Sequence, residues 1–322
     1  MTAPQPPTGR APGRLGIGII GAGRVGAVLG SALRAAGHAI VGVSAVSEES
    51  RDRAAIMLPD VPILPIPDIV ERAELVVIAT PDDAIKPLVD GLATTGAWQT
   101  GQIVLHVSGA HGLDVLDAAR GEGALVLAVH PVMTFTGTSL DIARLEGVPF
   151  AVTAPSAFLP IAQALVVEMG GEPVVIADEQ RAAYHAALAH ASNHLVTLLA
   201  QADELLKAAG VEAPGTLIRH LVDASVDGAL RRSADGADPI GALTGPVSRG
   251  DVGTVASHLV EIGRVSARDG HPDLIDSYRV LAQATADRAH RARRITEVQY
   301  GQLQAFLTAP SKTSKNREED DQ

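Results

Sequence analysis

The sequence predicts an α/β domain with a doubly wound, mainly parallel sheet, followed by an all-α domain that opens on one very long helix. Three observations carry this expectation. Up to about residue 177, short apolar runs alternate with helical patterns, the mark of a parallel sheet with crossover helices. Three glycines within six positions, Gly21, Gly23 and Gly26, join the first run to the first helical pattern. From Asp178 the β-type runs cease, and no Pro or Gly interrupts the chain until Gly210.

The strands follow in order. Leu15–Ile20, Ala39–Val43, Leu75–Ala79, Ile103–Val107, Leu125–Val129 and Phe150–Thr153 are short and mostly continuous in apolar character, as strands covered on both faces are. Between the second and third, "PDVPILPIPDIVERA" carries four prolines. It reads as a short edge strand at Val61–Leu64 and then a turn into a helix. A last strand, Val174–Ile176, closes the sheet. The long helix starts at Asp178, in the N-cap position, and stops at Gly210; at 1.5 Å per residue it is ~45–48 Å long. Further helices are expected over 214–231, 251–269 and 272–307, the second opening on Asp251 and the third with Pro272 near its start. The domains are therefore 14–177 and 178–307. Residues 1–13 form a flexible leader, and the polar, charged 308–322 has the composition of a disordered tail.

Composition removes several function classes. Hydrophobic residues make up 46% of the 322, enough for real cores, yet no apolar run approaches the ~18–20 residues of a membrane span. The leader lacks the apolar stretch of a signal peptide. With no cysteine there is no disulfide, thiol nucleophile or thiolate metal site, which fits a cytoplasmic protein. A net charge of −11 and 2% aromatic residues argue against a nucleic-acid partner. His185, His190 and His194 have no acid or cysteine on the same face, so no metal site is expected.

The glycine stretch is the most informative motif. Between strand and helix, Gly21 permits a tight turn, Gly23 lets a pyrophosphate approach the backbone, and Gly26 lets the helix pack closely on the strand. Arg24 and Val25 complete the turn, and the helix N-terminus offers free amides and a positive dipole end to the anion. This is the fingerprint of a dinucleotide-binding Rossmann domain. NAD-specific sites place an acid at the end of the second strand. Here Ser44-Ala45-Val46-Ser47 stands there, followed by Arg51 and Arg53, while Glu48 and Glu49 fall past the strand end. Hydroxyls and a guanidinium suit a 2′-phosphate, so NADP(H) is the expected cofactor. Ala79-Thr80-Pro81, Ser108 and His130 end later strands, at the edge where open sheets bind ligands.

With these residues in view, the chain resembles the superfamily of pyrroline-5-carboxylate reductase, ketopantoate reductase, prephenate dehydrogenase and the 6-phosphogluconate/β-hydroxyacid dehydrogenases. More closely it resembles a bacterial family with a Rossmann-like NADP-oxidoreductase domain and a C-terminal domain of unknown function. The matching segments are Gly21–Gly26, "ATPD" (79–82), "SGAHGLDVL" (108–116), "HPVMTF" (130–135), "YHAALAHASNHLVTL" (184–198) and "LTGPVSRGD" (243–251). The last two are the specific ones. Members of that family have been linked to pantothenate biosynthesis, some as candidate ketopantoate reductases. The resemblance therefore implies NADPH-dependent reduction of a small carboxylate-bearing carbonyl, 2-dehydropantoate to pantoate foremost.

His185, Ala189, Ser192, Asn193 and Val196 share one side of the long helix. In the dehydrogenase relatives that helix lines the cleft with a Lys and, four residues on, an Asn. Asn193 fits the second role, but Ala189 occupies the first. On this reading Asn193 and Ser192 polarise the carbonyl and Arg249 clamps a carboxylate. The proton must come from elsewhere, with His185, His190, His130 and Asp251 available and His258 beside Asp251. An imine substrate would ask less of a protein acid, which keeps a pyrroline-type reductase open; a prephenate dehydrogenase and a non-catalytic NADP(H)-binding regulator are the other readings. Apolar residues on more than one face of the long helix predict a homodimer through the helical domain.

Overall fold

The computed structural model describes residues 14–308; the expected leader and nearly all of the expected tail lie outside them. Alternate residues of the central strands feed two separate cores. Ile17, Ile19, Leu75, Val77 and Leu127 face one layer of helices, while Ile20, Val76, Ile78, Val104 and Val126 face the other. That two-sided burial explains why the strands read as unbroken apolar runs.

The strands are β1 (Gly16–Ile20), β2 (Ala39–Ser44), β3 (Leu75–Ile78), β4 (Ile103–His106), β5 (Leu125–Pro131), β6 (Pro149–Thr153) and β7 (Glu172–Val175). Their spatial order is β2-β1-β3-β4-β5-β6-β7. All pairs are parallel except β5 with β6. The order reverses direction between β1 and β3, which creates the crevice where such sheets bind ligands. The edge strand expected at Val61–Leu64 shrinks to one parallel bridge, Val43 to Ile63. Pro62 and Pro65 have no amide to donate, so a longer ladder cannot form there.

The helices of this sheet domain are α1 (Arg24–Ala35), α2 (Glu48–Met57), α3 (Ile66–Arg72), α4 (Asp82–Thr94), α5 (Asp117–Gly121), α6 (Leu140–Arg144) and α7 (Leu159–Glu168). A 3-10 turn, Asp178–Gln180, then leads into the long helix α8, Arg181–Ala208. Asp178 was expected as its N-cap. Its carboxylate instead accepts the Leu113 amide at 2.8 Å, one turn ahead of the helix.

The chain divides into two compact units between Ala191 and Ser192, inside α8 and further along than the boundary expected at 177. The first turns of α8 are tied to the sheet: buried Arg181 bonds to Thr153 on β6 and to the Ser108 carbonyl after β4. The second unit continues through α9 (Pro214–Ala234), α10 (Pro246–Arg249), α11 (Val252–Asp269), α12 (Pro272–Arg291) and α13 (Glu297–Leu307). Its core joins Val247, Val255, Ala282, Ala286 and Leu303. The single helix expected over 272–307 is two. Arg293 takes a positive φ of 55°, and Thr296 with Gln299 forms a capping box that starts α13 afresh. On α9, Leu217, Leu221 and Leu230 are exposed. Among the described residues no helix is long and apolar enough to cross a membrane, and no three His, Cys, Asp or Glu side chains form a metal cluster.

Candidate active site

The glycine turn is held from below by the end of β2. The Gly21 amide donates to Ser44 Oγ at 2.9 Å, and the Ala22 amide donates to the Ser44 carbonyl at 2.9 Å. Ser44 is thus buried and shapes the loop. Gly21 has φ +103°, and a Cβ there would lie 2.6 Å from the Ala79 carbonyl oxygen. Gly26 is excluded from side chains by a different contact, since its Cβ would stand 2.1 Å from the Gly21 carbonyl oxygen. Gly23 is different again: the nearest protein atom to a Cβ would be 4.0 Å away. Its openness leaves the backbone there accessible to a ligand. Gly23 is also the N-cap of α1, with no side chain bonded to the helix's first amides, so those donors are available to an anion.

Of the two arginines after β2, the helical phase of α2 selects Arg53. Its Nη1 donates to the Ala22 carbonyl at 3.1 Å. Arg51, two residues earlier and about 200° away around the helix, is exposed. Ser47 serves as the N-cap of α2, accepting the Ser50 amide.

Beside the turn, the ends of β3, β4 and β5 enclose a cavity of about 220 Å³ whose lining includes Val25, Ala79, Thr80, Ser108, His130 and His185. The Thr80 hydroxyl is buried and has no hydrogen-bond partner. A buried orphan of this kind calls for a partner supplied by a ligand or water. Pro81 precedes α4 as its N-cap residue. Ser108 Oγ accepts the Ala110 and His111 amides at 3.2 Å each, so its hydroxyl oxygen organises the turn after β4.

At the far wall, His130 Nδ1 lies 2.8 Å from the Tyr184 hydroxyl, and the His185 ring meets His130 edge-on at 6.2 Å between centroids. Burial, with the nearby Arg181 charge and His185, pushes His130 down to about 4. Burial raises the Tyr184 hydroxyl above its ordinary value, against the pull of Arg181. Arg181, only 1% exposed, keeps its Nε without a partner, and burial lowers its own pKa. Burial thus favours a neutral His130 ring and keeps the proton on its partner phenol. Sequence reasoning passed over both Tyr184 and Arg181. The only signal was the Tyr184-His185 pair at the head of the long helix.

The remaining expected residues lie in the second unit. Ser192 and Asn193 are exposed on α8, where the Asn193 carbonyl accepts Thr197 Oγ1 at 3.3 Å. Arg249 donates to the Thr244 carbonyl. Asp251 caps α11 through the Thr254 amide and hydroxyl, at 3.2 and 2.7 Å. These bonds, chiefly those from Thr254, hold its carboxyl below the ordinary range. Asp251 is thus engaged as a helix cap in the second unit.

Residues 1–131 match the model of the Rossmann-like domain, and residues 148–285 match that of DUF2520, a domain of unknown function. The chain joins a Rossmann-like domain to a DUF2520 domain. Among curated proteins none matches it. Solved structures share its fold. A Bacteroides fragilis protein assigned as an NADP oxidoreductase, BF3122, is 23% identical with a TM-score of 0.68, over 85% of this chain and 98% of that one. The imine reductase of Myxococcus stipitatus, solved with NADP⁺, is 17% identical with a TM-score of 0.58, over 91% of this chain and all of that one. The reductive aminase of Aspergillus terreus, solved with NADPH and ethyl-5-oxohexanoate, is 16% identical with a TM-score of 0.59, over 91% and 99%.

Proposed function

We propose that this Rossmann–DUF2520 chain is an NADP(H)-dependent oxidoreductase that reduces a small carboxylate-bearing carbonyl, with 2-dehydropantoate to pantoate as the leading reaction. The observation that carries the cofactor half is the cradle: an uncapped α1, an open Gly23 and an orphaned Thr80 hydroxyl converge on one cavity edge. These residues fit a dinucleotide, whose phosphates would take the α1 amides. Arg53 and Arg24 favour the 2′-phosphate form. NADPH supplies a hydride when bound.

The chain's own part is the proton. We assign the Tyr184 hydroxyl as the donor to His130 Nδ1, 2.8 Å away, which leaves the hydrogen of the neutral ring on Nε2. That atom lies beside Gly109, 2.9 Å from where a Cβ would be, on the wall of the cavity. His130 can hand this proton to a substrate oxygen or nitrogen and recover one from Tyr184, and Arg181 steadies the resulting negative charge. Substrate contacts by Ser192, Asn193 and Arg249 rest on the family resemblance alone.

A second reading, reduction of an imine, is favoured by Ala189 standing where the dehydrogenase relatives carry Lys. The proton required there is smaller work for a neutral histidine. Purified protein with NADPH decides between them: oxidation at 340 nm with ketopantoate supports the first, and turnover only with cyclic imines such as pyrroline-5-carboxylate supports the second. NADPH binding without turnover on either class overturns both and leaves a regulatory binder. The exposed leucines of α9 also support the proposed homodimer, and a monomeric mass by light scattering overturns it.

A further inference from the structure

The turn after β5 carries a carboxylate that the reaction above does not use. Asp141, at the start of α6, is wholly buried. Its Oδ2 accepts the Thr136 amide at 2.7 Å, the Gly137 amide at 2.8 Å and the Thr136 hydroxyl at 3.0 Å, while Oδ1 accepts Arg144 Nη1 at 3.3 Å. Burial alone would raise its pKa; the bonds from Gly137, Thr136 and Arg144 outweigh it and hold the carboxyl below its usual range. A charge kept ionised in the interior needs such a set of donors. Three of these bonds come from the 136–138 turn and brace it against Asp141.

What the turn rests on gives the bracing a purpose. Gly137, with φ +81°, is its apex, and a Cβ there would lie 2.9 Å from Arg24 Cγ, 3.2 Å from Arg24 Cα and 2.8 Å from Arg53 Nε. One peptide is thus wedged against two guanidinium side chains that arise on different elements. Arg24 opens α1 directly after Gly23, and Arg53 reaches back to the Ala22 carbonyl. Among the described residues no carboxylate pairs with either. Both side chains thus flank one peptide with no carboxylate to neutralise them, which favours an anion there, and a phosphate monoester suits a guanidinium in charge and in fork geometry.

We infer that Asp141 is a positioning residue for cofactor selectivity: through Gly137 it sets Arg24 and Arg53 where they receive the 2′-phosphate of NADP(H). This rests on the dinucleotide reading above. It adds to Arg53, which the sequence already offers with Arg51 and the strand-end serines, a positioning segment some 90 residues beyond the end of β2.

The test is calorimetric titration of the full chain and of its Asp141→Asn and Gly137→Ala variants with NADPH, NADH, adenosine 2′,5′-bisphosphate and AMP. The expected result is a tenfold or larger fall in the NADPH-to-NADH affinity ratio in both variants. The bisphosphate-to-AMP ratio should fall in parallel, with AMP affinity itself changed less than twofold. A general loss of structure would weaken all four probes alike, so equal losses overturn the inference, as does an unchanged ratio in a folded variant. Circular dichroism reports folding, and if Asp141→Asn does not fold, Gly137→Ala alone decides. Wild-type protein that binds both nucleotides without preference overturns the inference and spares the dinucleotide site. Wild-type protein that binds neither overturns both.

Discussion

Gly26→Ala sets two local effects against each other, and the structure says which wins. Gly26 is the third residue of α1, where Ala is worth about 1 kcal/mol more than Gly in helix propensity. Its φ is not positive, so the backbone raises no objection. The contact does. A Cβ would sit 2.1 Å from the Gly21 carbonyl oxygen and 2.9 Å from Ala79 Cβ, whereas close carbon–oxygen contacts lie at about 3.3–3.6 Å. The start of α1 must therefore move away from the turn by roughly 1 Å. Overpacking of this kind costs about 1–3 kcal/mol, so the net loss of stability is about 0–2 kcal/mol, or a few degrees in Tm at about 2–4 °C per kcal/mol.

Binding should suffer more. The amides of Arg24, Val25 and Gly26 shift together, and hydrogen bonds to a charged group are worth about 1.5–3 kcal/mol each. Misplacing even one predicts roughly 10–100-fold weaker NADPH affinity. Isothermal calorimetry with NADPH, beside thermal unfolding of the same samples, separates the two effects. An alanine variant with wild-type affinity and a raised Tm would show that α1 does not hold the phosphates, and the cradle argument would fail.

Three further outcomes follow from the same geometry. Tyr184→Phe removes the hydroxyl 2.8 Å from His130 Nδ1; steady-state turnover should drop tenfold or more while NADPH affinity stays within twofold, and undiminished kcat would exclude the relay. Arg53→Ala should weaken NADPH more than NADH and Arg51→Ala neither, because only Arg53 touches the glycine turn; equal effects in a binding titration would contradict the helical phase described above. His106 and His130 are both pushed down to about 4 from an ordinary 6.5, mainly by burial. Between those values the unfolded chain binds more protons than the native one, so the stability they contribute is full above about pH 6.5 and is lost as pH falls toward 4. Tm recorded from pH 7.5 to 4.5 should decline over that window, and a flat profile would mean the two rings are not buried as neutral imidazoles.

Much of this molecule was readable from adjacent residues. The alternation of strand and helix, the Gly21–Gly26 turn with its separate reasons for each glycine, the long helix ended by Gly210 and the change to an all-helical second unit are all short-range patterns. They depend on backbone conformation, period and capping, which act within a few residues. Where local signals compete, the structure departs from the pattern. Proline chemistry reduced Val61–Leu64 to a single bridge, and a capping box at Thr296 split the last helix.

The site was another matter. Tyr184 meets His130 across 54 residues of chain, Asp141 commands a turn that touches Arg24 and Arg53, and Ser44 accepts the Gly21 amide and so braces the glycine loop. The sequence by itself determined which segments become strands and helices and where a phosphate would be welcome. Only the tertiary structure decided which hydroxyls and charges remain free to act, because a polar group's availability depends on what burial and distant partners have already claimed.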